Sequence, residues 1–285
     1  DGLHRGHQQL LSNLIKLAEQ DHLVAGLLTF EPYPEAYLSS NNSVTRLSTL
    51  REKITALQSW PLNFLYVLPF TEKIARLSPK GFIDKILIQQ LKVKKIIIGE
   101  DFRFGFQRQG QLADLKGYFG EENILTESSI EFQGQRISSG WIRQALASGQ
   151  LKLVRQLLGQ PYELRGRVVK GAQRGRSLGF PTANLALHKR QLPLKGVFAV
   201  KVKHKENNFN GVANLGVRPT VDGQTAFLEI YIFDFNCDIY GEFIEVKFIQ
   251  KIRDEQRFAS LEALKAKIAE DVAQAQEILK NELDL

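Results

Sequence analysis

Leu10, Leu11, Leu14, Ile15, Leu17 and Ala18 recur with a period close to 3.6, which predicts a helix over 7–20. The apolar run Leu23–Phe30 then reads as a buried strand, ended by Pro32 and Pro34. A polar loop follows at Ser39–Ser43. Further helices are predicted over 47–58 and 79–91, and strands over 64–68 and 93–99. Alternating helix and strand implies a parallel sheet covered on both faces. A helical pair, 141–147 and 151–158, ends at Gly159-Gln160-Pro161. Beyond it the period drops to two. Short strands over 162–170, 197–203, 211–215, 226–233 and 243–249 imply an antiparallel sheet or small barrel. Residues 261–279 close as an amphipathic helix. The change of period predicts two domains, 1–159 and 160–285.

Composition adds few constraints. Of 285 residues, 43% are hydrophobic and 24% charged, which is ordinary for globular domains. No apolar run approaches the ~18–20 residues of a membrane span, and no secretory signal opens the chain. The single cysteine, Cys237, excludes a disulfide framework and fits a reducing cytoplasm. A net charge of +7 suits nucleic acid, an anionic membrane or a polyphosphate substrate. Between Arg165 and Arg190 only neutral residues separate eight basic or histidine side chains. Glycines rather than aromatics interleave them, which favours a phosphate cradle over a base-stacking groove.

Four segments of the first domain fall at predicted strand ends or helix starts, where open α/β sheets bind ligands. They are His4-Arg5-Gly6-His7, Thr29-Phe30-Glu31-Pro32-Tyr33-Pro34, Gly99-Glu100-Asp101-Phe102-Arg103-Phe104-Gly105 and Arg136-Ile137-Ser138-Ser139-Gly140-Trp141-Ile142-Arg143. Two imidazoles three apart at a helix start can meet an anion there. The plain alternative is a pair of solvated histidines. A zinc site lacks further ligands to complete it.

In this order, HxGH, TFEPxP, GxDFRFG and ISSxxIR resemble the FAD synthetase module of bacterial bifunctional flavin enzymes, a Rossmann-like nucleotidylyltransferase. The resemblance implies that His4 and His7, with Gly6 between them, stabilise the α-phosphate transition state of ATP. It implies that Arg136, Ser138, Ser139 and Arg143 bind the triphosphate. Pro32, Pro34, Asp101, Phe102 and Phe104 would shape the nucleotide and flavin sites. Two departures stand out. Gly140 occupies a position where the family usually has Thr or Ser, and the family's strand-loop lead-in is cut to Asp1-Gly2. The reading therefore expects an opening strand before Asp1.

In the second domain, Gly171, Arg174, Gly175, Arg176 and Gly179 lead into Phe180-Pro181-Thr182-Ala183-Asn184. Glycines admit close backbone approach to a phosphate, and basic side chains supply counter-charge. Thr182 and Asn184 put two hard oxygen donors on one side of an extended segment, which suits Mg²⁺ shared with ATP phosphates. A basic turn without function has the same composition. Glu229 stands alone in an apolar strand, as a solvated carboxylate or as a general base. GxxRGRxLGFPTAN, the segment Asn214-Leu215-Gly216-Val217-Arg218-Pro219-Thr220 and the strand glutamate resemble riboflavin kinase. That resemblance implies a six-stranded antiparallel β-barrel with a terminal helix. Thr182 and Asn184 would serve Mg²⁺-ATP, and Glu229 would activate the riboflavin 5′-hydroxyl.

The combined expectation is an enzyme that converts riboflavin to FMN and FMN to FAD. ATP is co-substrate in both steps, and neither nucleic acid nor membrane is a partner. One rival keeps HxGH but adenylylates pantetheine phosphate or nicotinamide mononucleotide; the GFPTAN segment argues against it. Another rival is a basic nucleic-acid-binding protein, which aromatics within the basic run would favour.

Overall fold

The computed structural model describes residues 1–39, 45–171, 175, 178–187, 191–220 and 223–282, without the side chains of 218–220 and 223–225. Most of the loop predicted at 39–43, together with Arg174 and Arg176, lies outside the described residues. The chain forms two compact units. One comprises Asp1, Leu3–Val44 and Thr49–Ser138; the other comprises Gly2, Thr45–Ser48 and Ser139–Leu285.

The first unit opens with α1 (Arg5–Gln20). Strand β1 (Gly26–Glu31) pairs in parallel with β2 (Phe64–Pro69). Between them lie α2 (Pro34–Leu38), with Pro34 in its first turn, and α3 (Leu50–Leu57). Thr49 and Glu52 close a capping box on α3, which satisfies two backbone donors at its start. Helix α4 (Glu72–Ala75) precedes α5 (Pro79–Phe82), which runs into a π-helical segment over Ile83–Gln90. The predicted helix over 79–91 is therefore present but wider than an α-helix along most of its length. A second parallel pair joins β3 (Ile96–Gly99) to β4 (Ile124–Glu127), with α6 (Leu112–Phe119) in between. A short hairpin of β5 (Glu131–Phe132) and β6 (Gln135–Arg136) follows. The apolar core gathers Leu68, Phe82, Ile83, Ile86, Ile98, Leu115 and Ile124. Strands β1 to β4 are parallel as the helix–strand alternation predicts, arranged among the described residues as two pairs, and the β5–β6 hairpin is antiparallel.

The second unit contains α7 (Ser139–Ala147) and α8 (Leu151–Leu158). They are followed by β7 (Glu163–Val169), β8 (Ala183–Leu185), β9 (Gly196–His204), β10 (Asn207–Thr220), β11 (Gly223–Ile232) and β12 (Phe243–Arg253). These strands close a barrel in the order β10-β11-β8-β7-β12-β9, and every pairing is antiparallel. Phe198 and Phe248 meet edge to face inside it at 5.3 Å, both fully buried. Terminal helix α9 (Leu261–Lys280) covers part of the outer face. Its Ala275 and Leu279 pack on Val197, Ala199, Val212 and Phe233. Arg253 grips Asp271 of α9 through Nε at 2.8 Å and Nη2 at 2.7 Å, and Asp271 is buried.

Candidate active sites

In the first unit His4 immediately precedes α1 and His7 lies in its first turn. Their rings stack at 3.8 Å. His4 is buried, and among the described residues its Nδ1 has no hydrogen-bond partner. Burial, followed by the positive charge of neighbours that include His7 and Arg136, pushes the His4 pKa down to about 3. His4 is therefore a neutral imidazole near pH 7, with a ring nitrogen available to a ligand. Its neighbour Arg136 ends β6 and makes a two-pronged ion pair with Asp101, at 2.6 and 2.9 Å. Asp101 follows β3, and the guanidinium holds its carboxyl below the usual range. Sequence reasoning assigned these two residues to different subsites; in the structure they contact each other. Phe102 stacks on Phe104 at 5.8 Å, the first half-exposed and the second buried against Phe82. Pro32 lies just beyond the carboxyl end of β1, and Pro34 starts α2.

The unit thus brings together His4, His7, Arg136 and Asp101. Ser138 ends the first unit, whereas Ser139 and Arg143 lie in the second, on α7. There Arg143 Nε donates to the Thr45 carbonyl at 2.7 Å.

In the second unit the register builds a row of polar side chains. Glu229 of β11 lies opposite Asn184 of β8 on one side and opposite Asn214 of β10 on the other. Directly opposed residues project from one face, with Cβ atoms about 5 Å apart. Alternation places this row on the outer face of the barrel, in phase with Val212 and Tyr231, which pack toward α9. The Gly175 carbonyl accepts from Leu178 N–H at 3.1 Å and Phe180 N–H at 2.9 Å. Phe180 packs edge-on against Tyr231 at 5.4 Å, two residues from Glu229 on the same face, and so holds the segment bearing Thr182 over β11. A Cβ on Gly171 would collide with the Asn184 carboxamide, so the backbone there approaches as only glycine can. Gly179 adopts φ +90°. Among the described residues no cluster of His, Cys, Asp and Glu could hold a metal by itself. The neutral oxygens of Thr182 and Asn184, beside the Glu229 carboxylate, instead fit a hard cation that receives its remaining ligands from phosphate.

Two family models match the chain: FAD synthetase over residues 1–140 and riboflavin kinase over 158–279. The bifunctional riboflavin kinase/FMN adenylyltransferase of Haemophilus influenzae is 43% identical over 278 residues, covering 96% of this chain and 90% of that protein. The chain belongs to the bifunctional riboflavin kinase/FMN adenylyltransferase family. The Escherichia coli K12 member is 41% identical, over 97% of this chain and 90% of its own length. A crystal structure titled as a macrolide-efflux protein of Streptococcus pneumoniae superposes with a TM-score of 0.84 at 34% identity, covering 99% of this chain and 91% of that one. Among the described residues no helix is long and apolar enough to cross a membrane.

Family membership does not by itself identify every residue at these sites. Sequence reasoning had Asn214 only as the first letter of a motif, with no role. It also lacked Glu255, whose carboxylate lies where a Cβ on Gly216 would fall. The place of Asn214 depends on strand register and that of Glu255 on a close approach of the segment after β12 to β10, neither of which local spacing reveals.

Proposed function

We propose that the two units carry the two successive reactions of this family: phosphorylation of riboflavin to FMN on the barrel, and adenylylation of FMN to FAD at the first unit. The observation that carries the reading is the paired geometry. A buried, neutral histidine with an unpartnered ring nitrogen stands before a helix in one unit, and a carboxylate flanked by two carboxamides stands on the barrel of the other.

At the first site, a phosphate oxygen of FMN attacks the α-phosphorus of ATP, and pyrophosphate leaves with the electron pair of the broken P–O bond. His4 and His7 donate hydrogen bonds to the phosphate oxygens at the start of α1, where backbone N–H groups add to the positive field. Arg136, positioned by Asp101, supplies charge for the triphosphate, and Ser138 supplies a hydroxyl. Phe102, Phe104, Pro32 and Pro34 form the apolar wall for the ring systems.

At the second site, Glu229 accepts the proton of the riboflavin 5′-hydroxyl as its oxygen attacks the γ-phosphorus of ATP, and ADP departs. Gly171, Gly175 and Gly179 let the backbone approach the phosphates, with Arg174 and Arg176 as counter-charge. Thr182 and Asn184 would hold Mg²⁺ with the ATP phosphates. When bound, the ion neutralises charge on the transferring group. The single cysteine, exposed Cys237, supports a cytoplasmic setting. Nucleic acid has no place in this reading.

The test is incubation with riboflavin, ATP and Mg²⁺, with products separated over time. FMN should appear first and FAD after it, with pyrophosphate released in step with FAD. Absence of both flavin nucleotides overturns the reading.

A further inference from the structure

Asn214 is the one member of the outer-face row to which the two reactions assign no work, and its surroundings are unusual for an amide. Its Oδ1 is shielded from solvent, and among the described residues no donor reaches it. A buried acceptor without a donor costs stability, so native folds rarely keep one without a use for it. The neighbours on its face do not relieve it. Across the strands it faces Glu229 on β11 and Val197 on β9. Along its own strand it is flanked by Val212, covered by α9, and by Gly216, over which the Glu255 carboxylate lies. Two carboxylates and two valines offer acceptors and methyl groups. The chemistry that satisfies such a position is an incoming hydroxyl.

We propose that Asn214 binds riboflavin, its side-chain oxygen accepting a hydrogen bond from a hydroxyl of the ribityl chain. The order of the row supports this. Asn184, whose carboxamide lies against Gly171 of the phosphate-binding segment, is followed by Glu229 and then Asn214, the three in register across β8, β11 and β10 and about one strand spacing apart. A polyol lying along the row presents its terminal hydroxyl to Glu229 and an inner hydroxyl to Asn214. Asn214 thus registers the chain so that the 5′-oxygen, rather than a neighbouring one, meets the base. The inference rests on the assignment of riboflavin phosphorylation to this face of the barrel.

The test compares binding of riboflavin and of lumiflavin, which has the ring system without the ribityl chain, by flavin fluorescence with the full chain. Asn214→Leu removes the acceptor at similar volume. It should weaken riboflavin binding about 3–10-fold, the worth of one neutral hydrogen bond, and leave lumiflavin binding unchanged. Its melting temperature should match or exceed that of the parent, because an unsatisfied buried acceptor is gone. Asn214→Ala removes the same acceptor without bulk and should show the same selective loss if the leucine variant does not fold. Asn214→Asp keeps an acceptor and should recover most of the riboflavin affinity. Unchanged riboflavin binding in Asn214→Leu and Asn214→Ala, or equal losses for both flavins, overturns the proposal. A parent protein that binds riboflavin but forms no FMN overturns the assignment of the reaction to the barrel, and the role of Asn214 with it.

Discussion

The two reactions depend on a few side chains whose states are set by immediate neighbours. His4 is the clearest case. Its pKa falls from 6.5 to about 3 on folding, chiefly through burial. Between those values the unfolded chain binds a proton that the folded chain does not. Stability therefore rises with pH across that window and falls as the solution is acidified. Urea unfolding of the first unit at pH 4 and pH 7 should show a smaller acid loss for His4→Gln than for the parent. Identical losses would mean that the imidazole is not held neutral. The histidine pair was visible in the sequence as HxGH, but its protonation state was not, because burial depends on the packing of the whole unit. The Asp101–Arg136 pair was hidden for a related reason. The two residues are 35 positions apart and meet only through the carboxyl end of β3 and the end of β6.

Long periodic elements were legible in the sequence and short or tertiary ones were not. The helices over 5–20, 151–158 and 261–280 carry strong apolar stripes, and their predicted limits differ from the observed ones by no more than about two residues. Strand β8 is three residues long and exists because β7 and β11 pair with it from both sides. No window of sequence that short carries a period. Strand β10 extends well beyond the predicted 211–215, since Asn207, Asn208 and Asn210 break the apolar alternation while the hairpin partners β9 and β11 hold the backbone extended. The terminal helix shows what a single pair contributes. Asp271 is buried and takes three hydrogen bonds from Arg253. Removing one partner strands the other charge in a dry site, so Asp271→Ala should cost about 3 kcal/mol. For a unit of this size that is a fall of roughly 6–12 °C in Tm by calorimetry. A fall of less than a degree or two would show that the helix is held by its apolar contacts alone.

At the scale of the whole molecule, the change of hydrophobic period near residue 160 and the division of the compact units after Ser138 fall in different places. The intervening α7 and α8 belong by packing to the second unit, and α8 rests on β12. Leu151, Val154, Leu157 and Leu158 of α8 are all buried. Each is worth about 1.5–3 kcal/mol of burial. A fragment of residues 139–285 should therefore melt well above one of residues 160–285. Equal melting would place the working boundary where the period changes. The central claim is that the two reactions use separate sets of catalytic side chains, His4 and His7 for one and Glu229 for the other. Product chromatography of two full-length variants tests it most directly. Glu229→Gln should form FMN from riboflavin about 10²-fold more slowly or worse, and still convert supplied FMN to FAD. The double change His4→Ala and His7→Ala should do the reverse, losing FAD synthesis by ~10²–10³-fold or more while FMN accumulates. If either variant loses both reactions while remaining folded, the two centres are not separate and the account is wrong.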